Sequence, residues 1–209
     1  MKQLKDIIST RLLTRRTLAV LLIVIGVTVT TIYGVRSVRS YQQLRYIREQ
    51  GLDDGTASVE AIQPWMTIGY IGVAYAVPEE YIYAELDIPF DRRNRNQTLG
   101  QLNQEYRLGH PVDGETPVII QRTQAAILAY RENPVPTGLD DIRPWMTVQY
   151  IANSTGVPED YLFEQLGIAA DGNAYKPLDL LAREARFREG PRGLTEAIKT
   201  ALSRYEATP

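Results

Sequence analysis

The sequence predicts an all-α protein: a single N-terminal transmembrane helix continuing into a stalk, then two tandem copies of a small helical domain that contains a helix-turn-helix. Nineteen consecutive residues near the N-terminus carry no charge, an apolar periodicity follows them, and a 27-residue segment recurs 80 residues further on. The predicted boundaries are a basic tail (1–16), the transmembrane helix (17–35), the stalk (36–50), repeat 1 (58–135) and repeat 2 (138–209).

The composition is that of a folded protein with an uneven charge distribution. Apolar residues make up 44% of the chain and charged residues 23%, which is typical of globular proteins. Residues 1–49 hold nine Lys/Arg and two Asp/Glu, whereas residues 50–209 hold fourteen and twenty-three, so the net charges are +7 and −9. The chain has no cysteine, which excludes disulfides, thiolate metal sites and a cysteine nucleophile.

The uncharged stretch from Thr17 to Val35 has the length of a membrane span. As a helix it would measure roughly 28 Å, close to the ~30 Å hydrocarbon core of a bilayer. A buried core helix and a cleaved signal peptide are the alternatives, but no A-x-A-like cleavage site follows, which favours an uncleaved anchor. Gly26, Thr30 and Gly34 recur every four residues and predict a packing face for another transmembrane helix.

The residues after the span predict a stalk and an orientation. An apolar stripe from Val35 to Ile47 continues as an amphipathic helix to about Gln50, where Gly51 ends it. Five Lys/Arg precede the span and four follow it. The positive-inside rule therefore favours an N-terminus in the cytoplasm, with residues 50–209 on the other side of the cell membrane.

An internal duplication is the strongest pattern in the chain. Residues 62–88 and 142–168 are identical at thirteen of 27 positions, and each segment contains Pro-Trp-Met-Thr followed by Val-Pro-Glu. Weaker similarity beyond them adds two helices, so each repeat is predicted to have four helices in about 75–80 residues. Two copies are too few for a solenoid, and we expect a pair packed about a pseudo-twofold axis.

Each repeat is predicted to begin with a helix-turn-helix. A threonine suits the N-cap of its first helix, and a proline suits the first position of its second; these are Thr67 and Pro78 in repeat 1, Thr147 and Pro158 in repeat 2. Gly156 suits the turn between the helices. Ala76 occupies that place in repeat 1, so the turn there must form differently or at some cost.

The hairpin resembles the helix pair of LysM glycan-binding modules and the first two helices of many DNA-binding helix-turn-helix domains. The match covers about 22 residues per copy and follows the order Thr147, Ile151-Ala152, Gly156-Val157, Leu162. The asparagine usual late in the second LysM helix is replaced by leucine, and flanking strands are not evident. The resemblance implies, as alternatives, an envelope glycan-binding module or a membrane-tethered helix-turn-helix regulator.

The repeated Pro-Trp-Met-Thr motif supplies the candidate interaction residues, Trp65, Met66, Trp145 and Met146. Tryptophan is enriched in interface hot spots, so one interpretation is a pair of partner-binding surfaces. The other is that each tryptophan packs onto its own hairpin as a core side chain, because a small domain needs large apolar residues.

The residues that carry chemistry are few. His110 is the only histidine and lies in a predicted loop, so neither a metal site nor a cofactor is expected. No phosphate-binding loop, nucleophile elbow or calcium loop occurs, and a domain of charge −9 repels nucleic acid. We therefore expect a membrane-anchored, non-catalytic interaction or scaffold protein, an accessory subunit of a larger membrane complex, whose partners are the lipid bilayer and other membrane subunits or copies of itself.

Overall fold

The computed structural model describes residues 15–109 and 116–207, and side chains throughout these ranges except at 15–17 and 34–41. Within them the regular structure consists of nine α-helices, two short 3-10 helices and two isolated antiparallel bridges, with no β-strand. The all-α prediction is therefore confirmed. The chain divides into two compact units, one ending at Arg48 and the other beginning at Glu49.

The first unit is dominated by helix α1, which runs continuously over Arg15–Glu49. It ends where the sequence predicts, because Gly51 has a φ of +68°, a backbone region that glycine enters without steric cost. Every described side chain at positions 18–33 is exposed, and the large apolar ones among them are 46–65% exposed.

The prediction of a transmembrane helix at residues 17–35 has no support from the structure. Across the described part of the chain, no helix combines the length and the hydropathy needed to cross a membrane. The predicted packing face also stays a prediction: a Cβ atom added to Gly26 would meet nothing within 4 Å, and Thr30 is exposed. Gly34 lies outside the residues whose side chains are described.

The second unit holds both repeats, and each contributes four helices. Repeat 1 contains α2 (Ile68–Tyr75), α3 (Glu79–Leu86), α4 (Leu99–Glu105) and α5 (Val118–Glu132). Repeat 2 contains α6 (Val148–Thr155), α7 (Glu159–Leu166), α8 (Leu178–Glu184) and α9 (Gly190–Glu206). In each repeat the last helix packs across the second helix of the hairpin, α5 on α3 and α9 on α7.

The predicted helix caps are largely confirmed. The Thr67 hydroxyl accepts a hydrogen bond of 3.2 Å from the Tyr70 amide, and the Thr147 hydroxyl one of 3.1 Å from the Tyr150 amide. The prolines lie one residue earlier than predicted, as N-cap residues with extended ψ angles of 135° and 136°. They remain outside the helices that follow them, and their carbonyls accept the first intrahelical hydrogen bonds.

The hairpin turns use the same backbone conformation in both repeats, although the residues differ. Gly156 has a φ of +75° and Ala76 a φ of +53°. Ala76 therefore adopts a left-handed conformation that costs an L-residue on the order of 1 kcal/mol. The residues that end the second helix of each hairpin show the same difference. Asp87 in repeat 1 and Gly167 in repeat 2 both adopt the left-handed conformation.

We expect Gly156→Ala to lower the free energy of unfolding by more than Gly167→Ala. Both substitutions place a side chain at positive φ, which costs on the order of 1 kcal/mol. The Gly156 variant would also bring its Cβ to 3.2 Å from Pro136 Cγ, whereas nothing lies within 4 Å at Gly167. Urea denaturation of the two variants measures the difference, and equal losses would show that Pro136 moves away freely.

The repeats contact each other mainly through their first helices, α2 and α6. The Asn153 side-chain amide donates a 2.6 Å hydrogen bond to the Ala76 carbonyl, and the Tyr130 hydroxyl donates one of 3.1 Å to the Asn153 carbonyl. Val73 packs against the core of repeat 2. Because Val73 occupies the place of Asn153 in repeat 1, the Asn153 hydrogen bond has no counterpart. The hydrogen bonding between the repeats is therefore not twofold symmetric.

Candidate functional site

Backbone hydrogen bonds of the Pro-Trp-Met-Thr motif connect the hairpin of each repeat to its third helix. In repeat 1 the carbonyls of Pro64 and Met66 accept hydrogen bonds of 2.8 Å from the first amides of α4, those of Gly100 and Leu99. The equivalent bonds in repeat 2 are 2.9 Å long and join Pro144 to Asp179 and Met146 to Leu178. The same backbone hydrogen-bond pattern therefore holds the motif against the third helix in both repeats.

The two methionines belong to the core. Met66 is 1% exposed and Met146 is 6% exposed. Neither methionine presents its side chain at the surface of this chain, and the prediction that they are interaction residues stays a prediction. A thioether side chain fills irregular space between helix ends, which is the role that both positions have here.

The two tryptophans differ in their surroundings. Trp65 is half-buried and its ring centroid lies 6.2 Å from that of Tyr70. Trp145 is 47% exposed, so its interpretation as a core side chain is wrong. The tyrosines that follow the two tryptophans differ as well. Tyr150, the counterpart of Tyr70, is 1% exposed, and its hydroxyl accepts a 3.5 Å hydrogen bond from the Glu79 amide of the other repeat.

A groove between the repeats surrounds Trp145. Two adjoining pockets, of about 300 and 400 Å³, share Glu79, Arg95 and Trp145. Tyr70 and Val73 line the larger pocket, and the smaller one is lined further by Glu80, Phe90, Leu139, Asp140, Asp141, Arg143, Met146 and Tyr150. Pockets of this size that combine apolar walls with a few polar groups are typical of binding sites. We call this the inter-repeat groove.

Glu79 is the most unusual polar group in the groove. It is the first residue of α3, and its carboxyl lies against bare backbone, since a Cβ atom added to Gly69 would be 3.0 Å from Glu79 Oε1. Burial raises the pKa of this carboxyl, the nearby Glu80 raises it further and Arg95 opposes them. Within the described residues, neither oxygen of Glu79 has an ion pair or a hydrogen-bond donor.

Other charges of the groove are already partnered. The Arg95 guanidinium lies 4.3 Å from the centroid of the Phe90 ring. Asp141 pairs with Arg143 at 3.1 Å and with Lys199 at 3.6 Å. The negative charge that remains without a cation within ion-pair distance comes from Glu79, Glu80 and Asp140, so the groove has an acidic excess.

The raised pKa of Glu79 predicts a dependence of stability on pH. Because the folded state binds the proton more tightly than the unfolded state, this group's contribution is most favourable at low pH and is lost as the pH rises from about 4.5 through the raised value. Glu79→Gln stays neutral, so its stability relative to the natural protein should increase with pH across that window. Thermal melts of both proteins from pH 4 to pH 8 measure this, and parallel curves would contradict it.

The hydroxyl of Tyr70 is a second group without a partner in the groove. It is buried and makes no hydrogen bond within the described parts of the chain. Burial raises the pKa of this phenol, with Asp53 and Tyr75 adding to the effect, so it stays protonated and can donate or accept. A buried polar atom without a hydrogen bond costs free energy, which a ligand that reaches it would recover.

No group of three or more metal-ligating side chains occurs in the described ranges, and His110 lies outside them. Surface ion pairs elsewhere in the described residues join Arg93 to Glu105 and Arg183 to Asp179. Sequence reasoning identified Trp145, but it did not single out Glu79, Tyr70 or Arg95, because only the packing of the repeats brings them together.

Comparison with known proteins gives no assignment: no family model, curated protein or solved structure matches this chain. The fold itself has one feature relevant to the LysM-like resemblance. Isolated antiparallel bridges, Thr67 with Thr98 and Thr147 with Pro177, flank the helix pair of each repeat, and the described residues hold no β-strand.

Proposed function

We propose that this protein is a membrane-anchored, non-catalytic interaction protein that docks a partner in the inter-repeat groove, as an accessory subunit of a larger membrane complex. The observation that carries the proposal is Trp145, a large aromatic side chain that is 47% exposed at the centre of a groove formed by two domains. Exposed tryptophans in a concave surface are frequent hot spots of protein interfaces.

The anchor in this proposal is α1. Its apolar side chains at positions 18–33 are exposed all around the helix, and water-exposed apolar surface of this extent is unusual in a monomeric protein. A bilayer would cover that surface, and the nineteen uncharged residues 17–35 are long enough to span it. Accessibility of single introduced cysteines on the two sides of sealed vesicles tests the orientation, with residues 50–209 expected outside the cytoplasm.

The role of Trp145 is tested by co-purification from the native membrane in mild detergent. We expect Trp145→Ala to reduce recovery of the partner subunits at least tenfold, corresponding to about 1.4 kcal/mol or more of interface energy. Leu128→Ala is the matched control, because Leu128 is 48% exposed on α5 outside the groove, and it should leave recovery unchanged.

A second variant separates binding from folding. Trp145→Gln retains a long side chain but removes the aromatic ring, and both variants should keep the helical circular dichroism of the natural protein. Folded variants that still recover every partner would contradict docking at Trp145. A natural protein that purifies alone, or only with copies of itself, would contradict the accessory-subunit role.

The antiparallel bridges beside each hairpin favour one other candidate, an envelope glycan-binding module of LysM-like type. This function requires residues 50–209 to lie outside the cytoplasm. Sedimentation of the full chain with purified peptidoglycan tests it, and the same assay on Trp145→Ala shows whether the inter-repeat groove takes part. A membrane-tethered DNA-binding regulator has no such support, because the groove has an acidic excess that repels phosphate.

A further inference from the structure

The inter-repeat groove has the chemistry to select one kind of side chain. Its centre combines the exposed ring of Trp145 with the Glu79 carboxyl, and these two residues line both pockets. The Tyr70 side chain also lines the larger pocket. Apolar surface from Val73, Leu139 and Met146 lies on either side of them.

The charge distribution disfavours an anionic occupant, because four carboxylates and two guanidiniums line the smaller pocket and give it a formal net charge of −2. Glu79, Glu80 and Asp140 contribute negative charge without an ion pair, whereas Arg143 is paired with Asp141 and Arg95 lies over Phe90. A carboxylate held in a partly buried site gains most from a cation that replaces the lost water. A cation placed over an indole ring gains in addition from the ring quadrupole.

An arginine side chain fits these features better than a lysine side chain does. Its planar guanidinium stacks on an aromatic face and still presents several donors in its plane, so one group can contact both Trp145 and the Glu79 carboxylate. The apolar walls then suit uncharged residues on each side of the arginine. A polypeptide segment supplies both, whereas a small cation supplies only the charge.

We propose that the inter-repeat groove binds a partner polypeptide segment that inserts an arginine, flanked by apolar residues, between Trp145 and Glu79. This inference rests on the proposed docking function and names the chemistry of the docked segment.

Each chain has one such site rather than two, even though the motif is duplicated. The residue corresponding to Gly69 is Gln149, whose side chain donates a 3.0 Å hydrogen bond to Asn153 and fills the space that Gly69 leaves for a carboxyl. Glu159 corresponds to Glu79, and it lines a different pocket with Tyr130, Pro134 and Pro136, without a tryptophan. One peptide should therefore bind per chain.

The test uses the full chain in detergent with Trp65→Phe, so that Trp145 is the only tryptophan. The probes are acetylated, amidated peptides with one central arginine between apolar residues, each matched to a peptide with citrulline in place of arginine. Citrulline keeps the shape and removes the charge. We expect Trp145 fluorescence to respond to the arginine peptides and the affinity to fall at least tenfold with citrulline.

Two variants test whether the Glu79 carboxylate is the negative charge that binds the arginine. Glu79→Gln should weaken binding of the arginine peptides at least tenfold, whereas Glu159→Gln, the same change at the first residue of α7, should leave it unchanged. In the natural protein the affinity should fall as the pH drops and Glu79 takes up its proton. The charged and titratable groups that face Glu79 or line the smaller pocket with it are Glu80, Tyr83, Arg95, Asp140, Asp141, Arg143 and Tyr150.

Several results would overturn the inference. These are equal affinity for citrulline peptides, equal loss in the two glutamine variants, or an equal response to choline chloride, which would indicate a site for small cations. The two proposals fail separately. If no arginine peptide binds but Trp145→Ala still loses the native partner, docking stands and the arginine chemistry is wrong. If arginine peptides bind but Trp145→Ala keeps every native partner, the groove chemistry stands and docking of the native partner at Trp145 is wrong.

Discussion

Met66→Ala should destabilise the second unit strongly, by more than a substitution at an exposed residue of the repeated motif. Met66 is 1% exposed, and its carbonyl accepts the first amide hydrogen bond of α4 at 2.8 Å. Truncating a fully buried methionine removes its apolar contacts and leaves a cavity, at a cost of about 2–5 kcal/mol. Urea denaturation followed by circular dichroism on the full chain in detergent measures this loss.

Met66→Leu is the control for this prediction. It preserves most of the volume and the apolar character, so it should cost less than about 1.5 kcal/mol. Met146→Ala should resemble Met66→Ala, because Met146 is 6% exposed and makes the equivalent backbone bond to Leu178. Alanine variants that are no less stable than Met66→Leu would mean that the motif is a surface feature rather than a core one.

Asn153→Ala should uncouple the two repeats. Its side chain donates the 2.6 Å hydrogen bond to the Ala76 carbonyl, and Ala76 is 1% exposed. In this variant the buried Ala76 carbonyl loses the hydrogen-bond donor that it has in the natural protein. This loss lowers the free energy of unfolding by about 1–3 kcal/mol. We also expect a broader urea transition with a lower apparent m-value, because the repeats no longer unfold as one cooperative unit.

Gln149→Ala controls for the loss of a side chain on the same helix. Gln149 hydrogen-bonds to the Asn153 side chain at 3.0 Å but makes no side-chain hydrogen bond to repeat 1 within the described residues. Its removal should therefore leave the transition as steep as in the natural protein. An Asn153→Ala protein that unfolds like Gln149→Ala would show that Val73 and the α2–α6 packing hold the repeats together without this hydrogen bond.

The sequence predicted the local structure of each repeat well, for a physical reason. Helix caps such as Thr67 and positive-φ positions such as Gly156 act over three or four residues, so a pattern in one sequence is enough to locate them. The one difference in the hairpin is the position of the prolines, which end the extended segment instead of beginning the helix. At Ala76 the sequence indicated a turn with some cost, and the φ of +53° agrees.

The candidate site could be predicted only in part, because it depends on how the repeats pack. Identical motifs made Trp65 and Trp145 look equivalent, yet Trp65 packs near Tyr70 and Trp145 is exposed. The repeats diverge on the helix that follows each tryptophan, with Gly69 against Gln149 and Val73 against Asn153. Such divergence within a duplication is the signal that could have located the groove, since duplicated copies that form one interface must differ where they meet.

Site-specific photocrosslinking at position 145 tests the central claim most directly. The photoreactive residue p-benzoylphenylalanine replaces Trp145 in the full chain in its native membrane, and the same residue replaces Leu128 in the control. We predict a crosslink from position 145, and none from position 128, to a different membrane protein, through a segment in which an arginine lies between apolar residues. Crosslinks to lipid alone, to another copy of this chain, or equally from both positions would contradict docking in the inter-repeat groove.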